Sequence, residues 1–320
     1  MTRIAVVDPD IRPGFLDALG AAAPPGWSVS TDPTNADILI TERADVGTEV
    51  ASLAGERLRL IATLDPGRPR VDVNVPVYAV PNTALTGVAE HAVALILACA
   101  RQLIDVTERT RSMAYLPDRS TPLLTTQTIY TFNWIGLEDF GVLFGRTVGL
   151  VGLGYVGQAV AARLRPFGVR LLYAQRQRLD ADVEQALGAE YRTLDELLAA
   201  SDIVSLHHRF QDGPDGNDQH IGVAELARMK SGSILVNTAR GRLIDEDALV
   251  QALSSGHLKA AALDVFRFEP LPSGHPFFAI PPTRLLLTPH VAGAPNDQAW
   301  RLMCELLIER SMELGIGTSK

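Results

Sequence analysis

Cysteine is nearly missing from this chain: two residues in 320 cannot build a disulfide framework. Cys99 and Cys304 stand far apart in apolar, helix-like segments. They read as free buried thiols of a reducing compartment, so a cytoplasmic location is expected. Long apolar runs are missing too. The longest, roughly Val88–Ala100, contains Glu90 and His91 and is too short to span a bilayer, so no membrane span is expected. No signal-peptide pattern precedes Arg3-Ile4-Ala5-Val6-Val7, which reads as a first strand. Positive charge is in deficit, with 29 Lys and Arg against 37 Asp and Glu, a net charge of -8 and a pI near 5.4. An acidic surface repels nucleic acid and anionic membrane, which argues against both as partners. A small anionic substrate stays compatible, because only the local field of its pocket must be positive.

Hydrophobic residues make up 47% and charged residues 21% of the chain, the composition of a globular protein with material for two ordinary domains. Short apolar runs at Ile4–Val7, Asp37–Ile40, Leu58–Leu64 and Val75–Val80 alternate with turn signals such as Pro24-Pro25-Gly26, the pattern of a parallel sheet covered on both faces. Leu85–Ile104 then reads as one long helix, and Arg111–Phe140 as irregular chain. A second alternation starts at the strand Thr147–Val151. It continues through strands at Val169–Tyr173, Asp202–Leu206, Ile234–Asn237, Ala260–Val265 and Arg284–Thr288, with helices between them. A last helix, roughly Asp297–Leu314, is expected to return to the first domain. The expected division is therefore 1–105 plus 291–320 as a discontinuous substrate domain and 106–290 as a dinucleotide-binding domain. Within the latter, 106–140 is a candidate dimerisation arm.

Gly152-Leu153-Gly154-Tyr155-Val156-Gly157 follows a strand and opens a helix, the context that turns a weak glycine pattern into a strong one. Gly152 permits the tight turn, Gly154 lets the backbone approach a pyrophosphate, and Gly157 lets the helix sit close to the sheet. The helix N-terminus adds free N–H groups and a favourable dipole. The next strand ends not in the acid that holds a ribose 2′-hydroxyl but in Gln175, with Arg176 after it. A neutral amide beside an arginine fork suits a 2′-phosphate, so NADPH is favoured over NADH.

Three further segments each follow a strand of the second domain: Asn237-Thr238-Ala239-Arg240-Gly241-Arg242, Asp264-Val265-Phe266-Arg267-Phe268-Glu269-Pro270 and Thr288-Pro289-His290. Their side chains can gather at the carboxyl ends of one sheet, where open α/β sheets bind ligands. Reduction of a 2-oxo acid needs a cation for the carboxylate, which Arg240 offers. It needs a proton for the forming alkoxide, which His290 offers, and Glu269 can hold that ring and stabilise its protonated form. Taken singly, each residue has a bland structural explanation.

With these segments the chain resembles the D-isomer-specific 2-hydroxyacid dehydrogenases, from about Leu58 to Gly293 and most closely along Asn237–Leu249, Asp264–Pro270 and Thr288–His290. The resemblance implies an α/β fold of two Rossmann-like, doubly wound parallel-sheet domains with the active site in the cleft between them. It implies hydride transfer between NAD(P)H and a 2-oxo/2-hydroxy acid pair, with Arg240 on the substrate and His290 with Glu269 as acid/base pair. Asp264 would contact the nicotinamide end of the cofactor, Thr238, Ala239 and His207 would also bind the cofactor, and the chain would be a homodimer. The family's first-domain loop, glycine–small–glycine, is replaced by Asp65-Pro66-Gly67. Pro66 has no N–H for the carboxylate and Asp65 would repel it, while Arg68 or Arg70 can compensate. A bulkier or additionally charged oxo acid is the resulting expectation. His207-His208-Arg209-Phe210 replaces the usual His-x-Pro-Leu, and no metal site is expected there. The alternatives are a nucleotide-sensing, corepressor-like binding protein, or a relative with lost or unusual substrate specificity. A formate dehydrogenase would carry Gln in place of Glu269.

Overall fold

The computed structural model describes residues 1–8, 13–42, 44–64, 73–80, 83–138, 141–293 and 297–317. It divides into two compact units, Met1–Thr86 with Ala294–Lys320, and Gly87–Gly293. In the first unit the strands are β1 (Thr2–Val6), β2 (Trp27–Ser30), β3 (Ile38–Thr41), β4 (Leu60–Thr63) and β5 (Val77–Ala79). Its helices are α1 (Pro13–Ala22), α2 (Thr48–Ala54) and a C-terminal helix, Asp297–Glu313. The sheet is parallel, in the order β2-β1-β3-β4-β5. Successive side chains of β1 leave on opposite faces. Ile4 and Val6 join Phe15, Leu19, Trp300, Met303 and Leu307 on one side, whereas Ala5 joins Leu39, Val46 and Ile61 on the other. The Phe15 and Trp300 rings meet edge-on at 5.2 Å, tying α1 to the C-terminal helix. The C-terminal helix packs within the first unit.

The second unit opens with α3 (Thr83–Ala100) and α4 (Leu103–Arg111). The expected single helix over 85–104 is broken, because Gln102 takes φ 51°, outside helical geometry. The β/α series follows: β6 (Thr147–Val151), α5 (Tyr155–Leu164), β7 (Arg170–Ala174), α6 (Ala181–Leu187), β8 (Ala189–Tyr191), α7 (Leu194–Ala200) and β9 (Ile203–Leu206). It continues with α8 (Val223–Arg228), β10 (Ser233–Asn237), α9 (Glu246–Ser254), β11 (Leu258–Leu263) and β12 (Leu285–Leu287). All pairs are parallel, in the order β12-β11-β10-β9-β6-β7-β8. Strand succession thus reverses between β6 and β9, and the glycine turn leaves β6 at this switch point, where such sheets take their ligands. One face is closed by Leu197, Leu226, Leu249 and Leu253 of α7, α8 and α9. The other is closed by Val160, Ala161 and Leu164 of α5 together with Ala89, Ala92 and Ile96 of α3. Through that second contact α3 packs its apolar side on the seven-stranded sheet, within the unit that runs from 87 to 293.

Cys99 and Cys304 are buried and free, and burial pushes both thiols up to about 12. Among the described residues no single helix is long and apolar enough to cross a membrane.

Candidate active site

At the end of β6, Gly152 takes φ +93°, and a Cβ there would lie 2.6 Å from the His208 backbone nitrogen. A side chain at Gly157 would collide with the Gly152 carbonyl, whereas the space beyond Gly154 is open. Glycine is therefore forced at both ends of the turn, and the middle is left clear for an approaching group. The Leu153 N–H is bonded by Gln175 Oε1 at 3.0 Å, and Gln175 Nε2 donates to the Gln177 carbonyl at 2.6 Å. Gln175 therefore stands where the sequence puts it and also braces the glycine turn. Arg178 is spent: both its Nε and Nη2 donate to Glu184, at 2.9 and 2.7 Å, and with Tyr173 Oη (2.5 Å) it holds that carboxyl down to about 2. Arg176 is exposed and has no ion-pair partner among the described residues. Tyr155 and Val156 open α5, with Tyr155 exposed.

His207 follows β9. Its two ring nitrogens are buried without a hydrogen-bond partner among the described residues, and burial pushes the ring down to about 3. His208, pushed down to about 4 chiefly by burial, shares a 3.1 Å contact between its Nε2 and His220 Nδ1. After β10, Thr238 Oγ1 is likewise buried and unpartnered. Buried polar atoms of this kind are costly unless something bonds them. With the open glycine turn, they fit a dinucleotide lying across the carboxyl ends of β6, β9 and β10.

The candidate site residues are assembled by short loops. Buried Asn237, at the end of β10, accepts from Ala239 N (3.0 Å) and donates to the Arg240 carbonyl (2.9 Å), folding the turn that presents Arg240. Gly241 has no room for a side chain, because the Phe266 backbone occupies its Cβ position. That close approach brings the Arg240 loop against the Phe266–Glu269 loop. Glu269 Oε1 accepts from Phe266 N at 2.9 Å, and its Oε2 lies 2.6 Å from His290 Nδ1. Arg240, Glu269 and His290 line one pocket of about 230 Å³ together with Phe210, Gly241, Arg242, Phe266 and Arg267. Arg242 binds Asp212 (2.7 Å) and Asp218 (3.0 Å) and covers the Phe210 ring at 4.4 Å. Arg267 reaches Asp218 at 3.5 Å. Arg240 is thus the lining cation without a carboxylate partner among the described residues.

Asp264 is fully buried, and both its oxygens are engaged by the protein: Oδ1 by Thr288 Oγ1 (2.6 Å) and Val291 N (3.0 Å), Oδ2 by Ala292 N (2.9 Å). Its bonds run to the His290 loop, a role its motif does not announce. Asp65, Pro66, Gly67 and Arg68 lie outside the described residues. Sequence reasoning also passed over the rest of the pocket lining, from Phe210 and Arg242 to Arg267 with its Asp218 partner. The cue available was the Phe in place of the usual Leu after His207-His208-Arg209.

Residues 93–292 match the profile of the D-isomer specific 2-hydroxyacid dehydrogenase, NAD binding domain. The chain belongs to the D-isomer specific 2-hydroxyacid dehydrogenases. Family membership makes it an NAD(P)-dependent oxidoreductase with a nicotinamide coenzyme. It is 36% identical over 288 residues to a glyoxylate reductase of Aeropyrum pernix, covering 87% of this chain and 80% of that one. It is 34% identical over 309 residues to the D-3-phosphoglycerate dehydrogenase of Mycobacterium leprae, covering 92% of this chain but 54% of that longer protein. A crystal structure of a glyoxylate reductase from Paecilomyes thermophila is similar with a TM-score of 0.63 and 25% identity, covering 99% and 96% of the two chains. In this dehydrogenase the sheet order, the glycine turn and the histidine–glutamate pair are all features of the second unit.

Proposed function

We propose that the chain is a 2-oxo acid reductase in which Arg240 binds the substrate carboxylate and His290 is the proton donor. The observation that carries this is the 2.6 Å pair His290 Nδ1–Glu269 Oε2 on the wall of the pocket that Arg240 also lines. Because Nδ1 is taken by the carboxylate, Nε2 is the ring atom left for the substrate. Arg240 offers a charge-assisted fork to the carboxylate. The bound coenzyme supplies the hydride to the carbonyl carbon. As negative charge develops on the carbonyl oxygen, His290 Nε2 releases its proton to it, and Glu269 stabilises the imidazolium before that transfer. Oxidation of the hydroxy acid is the same path reversed, with His290 as base.

The coenzyme of this reading is NADPH: neutral Gln175 and Arg176, which has no ion-pair partner among the described residues, would flank the adenosine end, and Arg178 is withheld by Glu184. The working form is a homodimer in the cytoplasm. An arm between α4 and β6 exposes Met113, Leu124, Ile129, Tyr130, Phe132 and Phe144, apolar side chains that a second copy would cover. Arg240, a lining cation without a carboxylate partner among the described residues, serves one substrate carboxylate, and the additional charge expected from Asp65-Pro66-Gly67 would need a further partner.

The test is oxidation of NADPH and of NADH, followed by absorbance, against a panel from glyoxylate to aromatic and dicarboxylic 2-oxo acids, with Arg240→Ala and His290→Ala alongside. Turnover that depends on both residues is expected, and Arg176→Ala should cost NADPH its advantage. A protein that binds coenzyme yet reduces none of the acids would instead support a nucleotide sensor. Light scattering of the purified chain gives the mass that decides between monomer and dimer.

A further inference from the structure

His290 sits at φ +54°, a left-handed conformation that is unfavourable for a residue with a Cβ and persists only when its surroundings hold it. What holds it is on either side. Thr288 before it and Val291 and Ala292 after it all bond Asp264, a carboxylate with no solvent exposure at the end of β11. A further group arrives from a distant part of the chain. His91 on α3 places Nε2 at 3.0 Å from Thr288 Oγ1 and 3.5 Å from Asp264 Oδ1. The Thr288 hydroxyl has one hydrogen, and the shorter bond, 2.6 Å to Asp264, takes it. The hydroxyl oxygen is then the acceptor, and His91 Nε2–H is the donor. His91 is half-buried, while its neighbours Ala89 and Ala92 supply the apolar contact of the helix; packing alone does not call for an imidazole here.

We infer that His91 and Thr288 are positioning residues for His290: the relay His91 Nε2–H to Thr288 Oγ1–H to Asp264 fixes the turn 288–292 and so the histidine it carries. Hydrogen bonds in such a chain strengthen one another, and an error of about 1 Å in a reacting group can cost about 100-fold in rate. The inference rests on the reading of His290 as proton donor, and His290→Ala is included so that the two can fail separately.

The experiment compares His91→Ala, His91→Gln, Thr288→Val, the double variant His91→Ala/Thr288→Val and His290→Ala. The assay uses NADPH and whichever acid of the panel the parent reduces fastest. Hydrogen–deuterium exchange is followed across 288–292. His91→Ala should lower kcat roughly 10- to 100-fold with KM and coenzyme affinity held. His91→Gln, whose amide nitrogen occupies the place of Nε2, should recover most of the loss. The double variant should be no slower than the worse single one, as expected of two members of one relay. Amide exchange at 288–292 should quicken in His91→Ala and return towards the parent in His91→Gln, a readout that does not depend on turnover. Unchanged kcat and exchange in His91→Ala, or equal losses in Ala and Gln, would overturn the relay. Activity that survives His290→Ala would overturn the proton-donor reading instead, and exchange would still judge the relay.

Discussion

Asp218 pairs with two arginines of the pocket wall, Arg242 and Arg267, an arrangement that a point change can exploit. Its carboxylate holds Arg242 at 3.0 Å and Arg267 at 3.5 Å, and those pairs keep its proton affinity low, the Arg242 hydrogen bond foremost. Two cations that line the pocket are thereby kept for the protein. Asp218→Asn should free part of that charge for the substrate. The ratio of kcat/KM for a dicarboxylic over a monocarboxylic 2-oxo acid is expected to rise roughly tenfold, a factor worth about 1.4 kcal/mol. An unchanged ratio would mean that these arginines never meet the substrate. Much of this residue-scale chemistry was legible beforehand. Arg240, Glu269 and His290 each follow a strand, and a parallel sheet brings strand ends together whatever the loops do. What the sequence could not convey was who serves whom. Asp264 reads as a cofactor contact, and the structure adds its bonds to the His290 loop, which the motif does not announce. Gly241 carries no visible cue, because the reason for it is the Phe266 backbone, 25 residues away in the numbering. The Asp65–Arg68 departure stays an expectation.

At the scale of elements, local signals told most where a buried strand was involved, and the helix caps came from the structure. Thr193 and Glu196 form a reciprocal cap at the start of α7: Thr193 Oγ1 accepts from Glu196 N at 3.3 Å, and Glu196 Oε2 accepts from Thr193 N at 2.9 Å. Thr193→Ala should cost about 1 kcal/mol, measured by urea unfolding, and leave kcat untouched. Full loss of coenzyme binding would mean that α7 does more than close the core. Buried parallel strands such as β9 and β10 were plain as continuous apolar runs. The edge strand β2, Trp27–Ser30, was not, since it is short, only partly buried and without an apolar run. The break after α3 was hidden for a different reason. Arg101 and Gln102 are ordinary helix formers, and nothing local forbids continuation; Gln102 leaves the helix and its amide donates to the Glu138 carbonyl at 3.3 Å.

For the whole molecule, the imidazoles beneath the glycine turn predict how stability follows pH. His207 and His208 are pushed from 6.5 down to about 3 and about 4, burial being the main cause in each, and His220 is lowered as well. Above pH 6.5 these rings are neutral in both the folded and unfolded chain and contribute nothing to the pH dependence. Below it the unfolded chain binds protons that the folded one refuses, so stability rises with pH and falls on acidification. The loss should approach about 1.4 kcal/mol per pH unit for each ring down to the folded values. Denaturation of the coenzyme-free protein between about pH 7.5 and about pH 5 should show it, and the double variant His207→Gln/His208→Gln should flatten the slope. An unaltered slope in that variant would assign the acid sensitivity elsewhere.

The two silent thiols have a practical consequence. With Cys99 and Cys304 buried and their protons held up to about 12, the thiolate needed for alkylation is scarce at neutral pH, so the native chain is a dark background for maleimide dyes. A single cysteine introduced at an exposed site such as Arg176 or Phe268 would carry the only fluorophore. Loop movement on coenzyme or acid binding then becomes something to watch in real time, one molecule at a time.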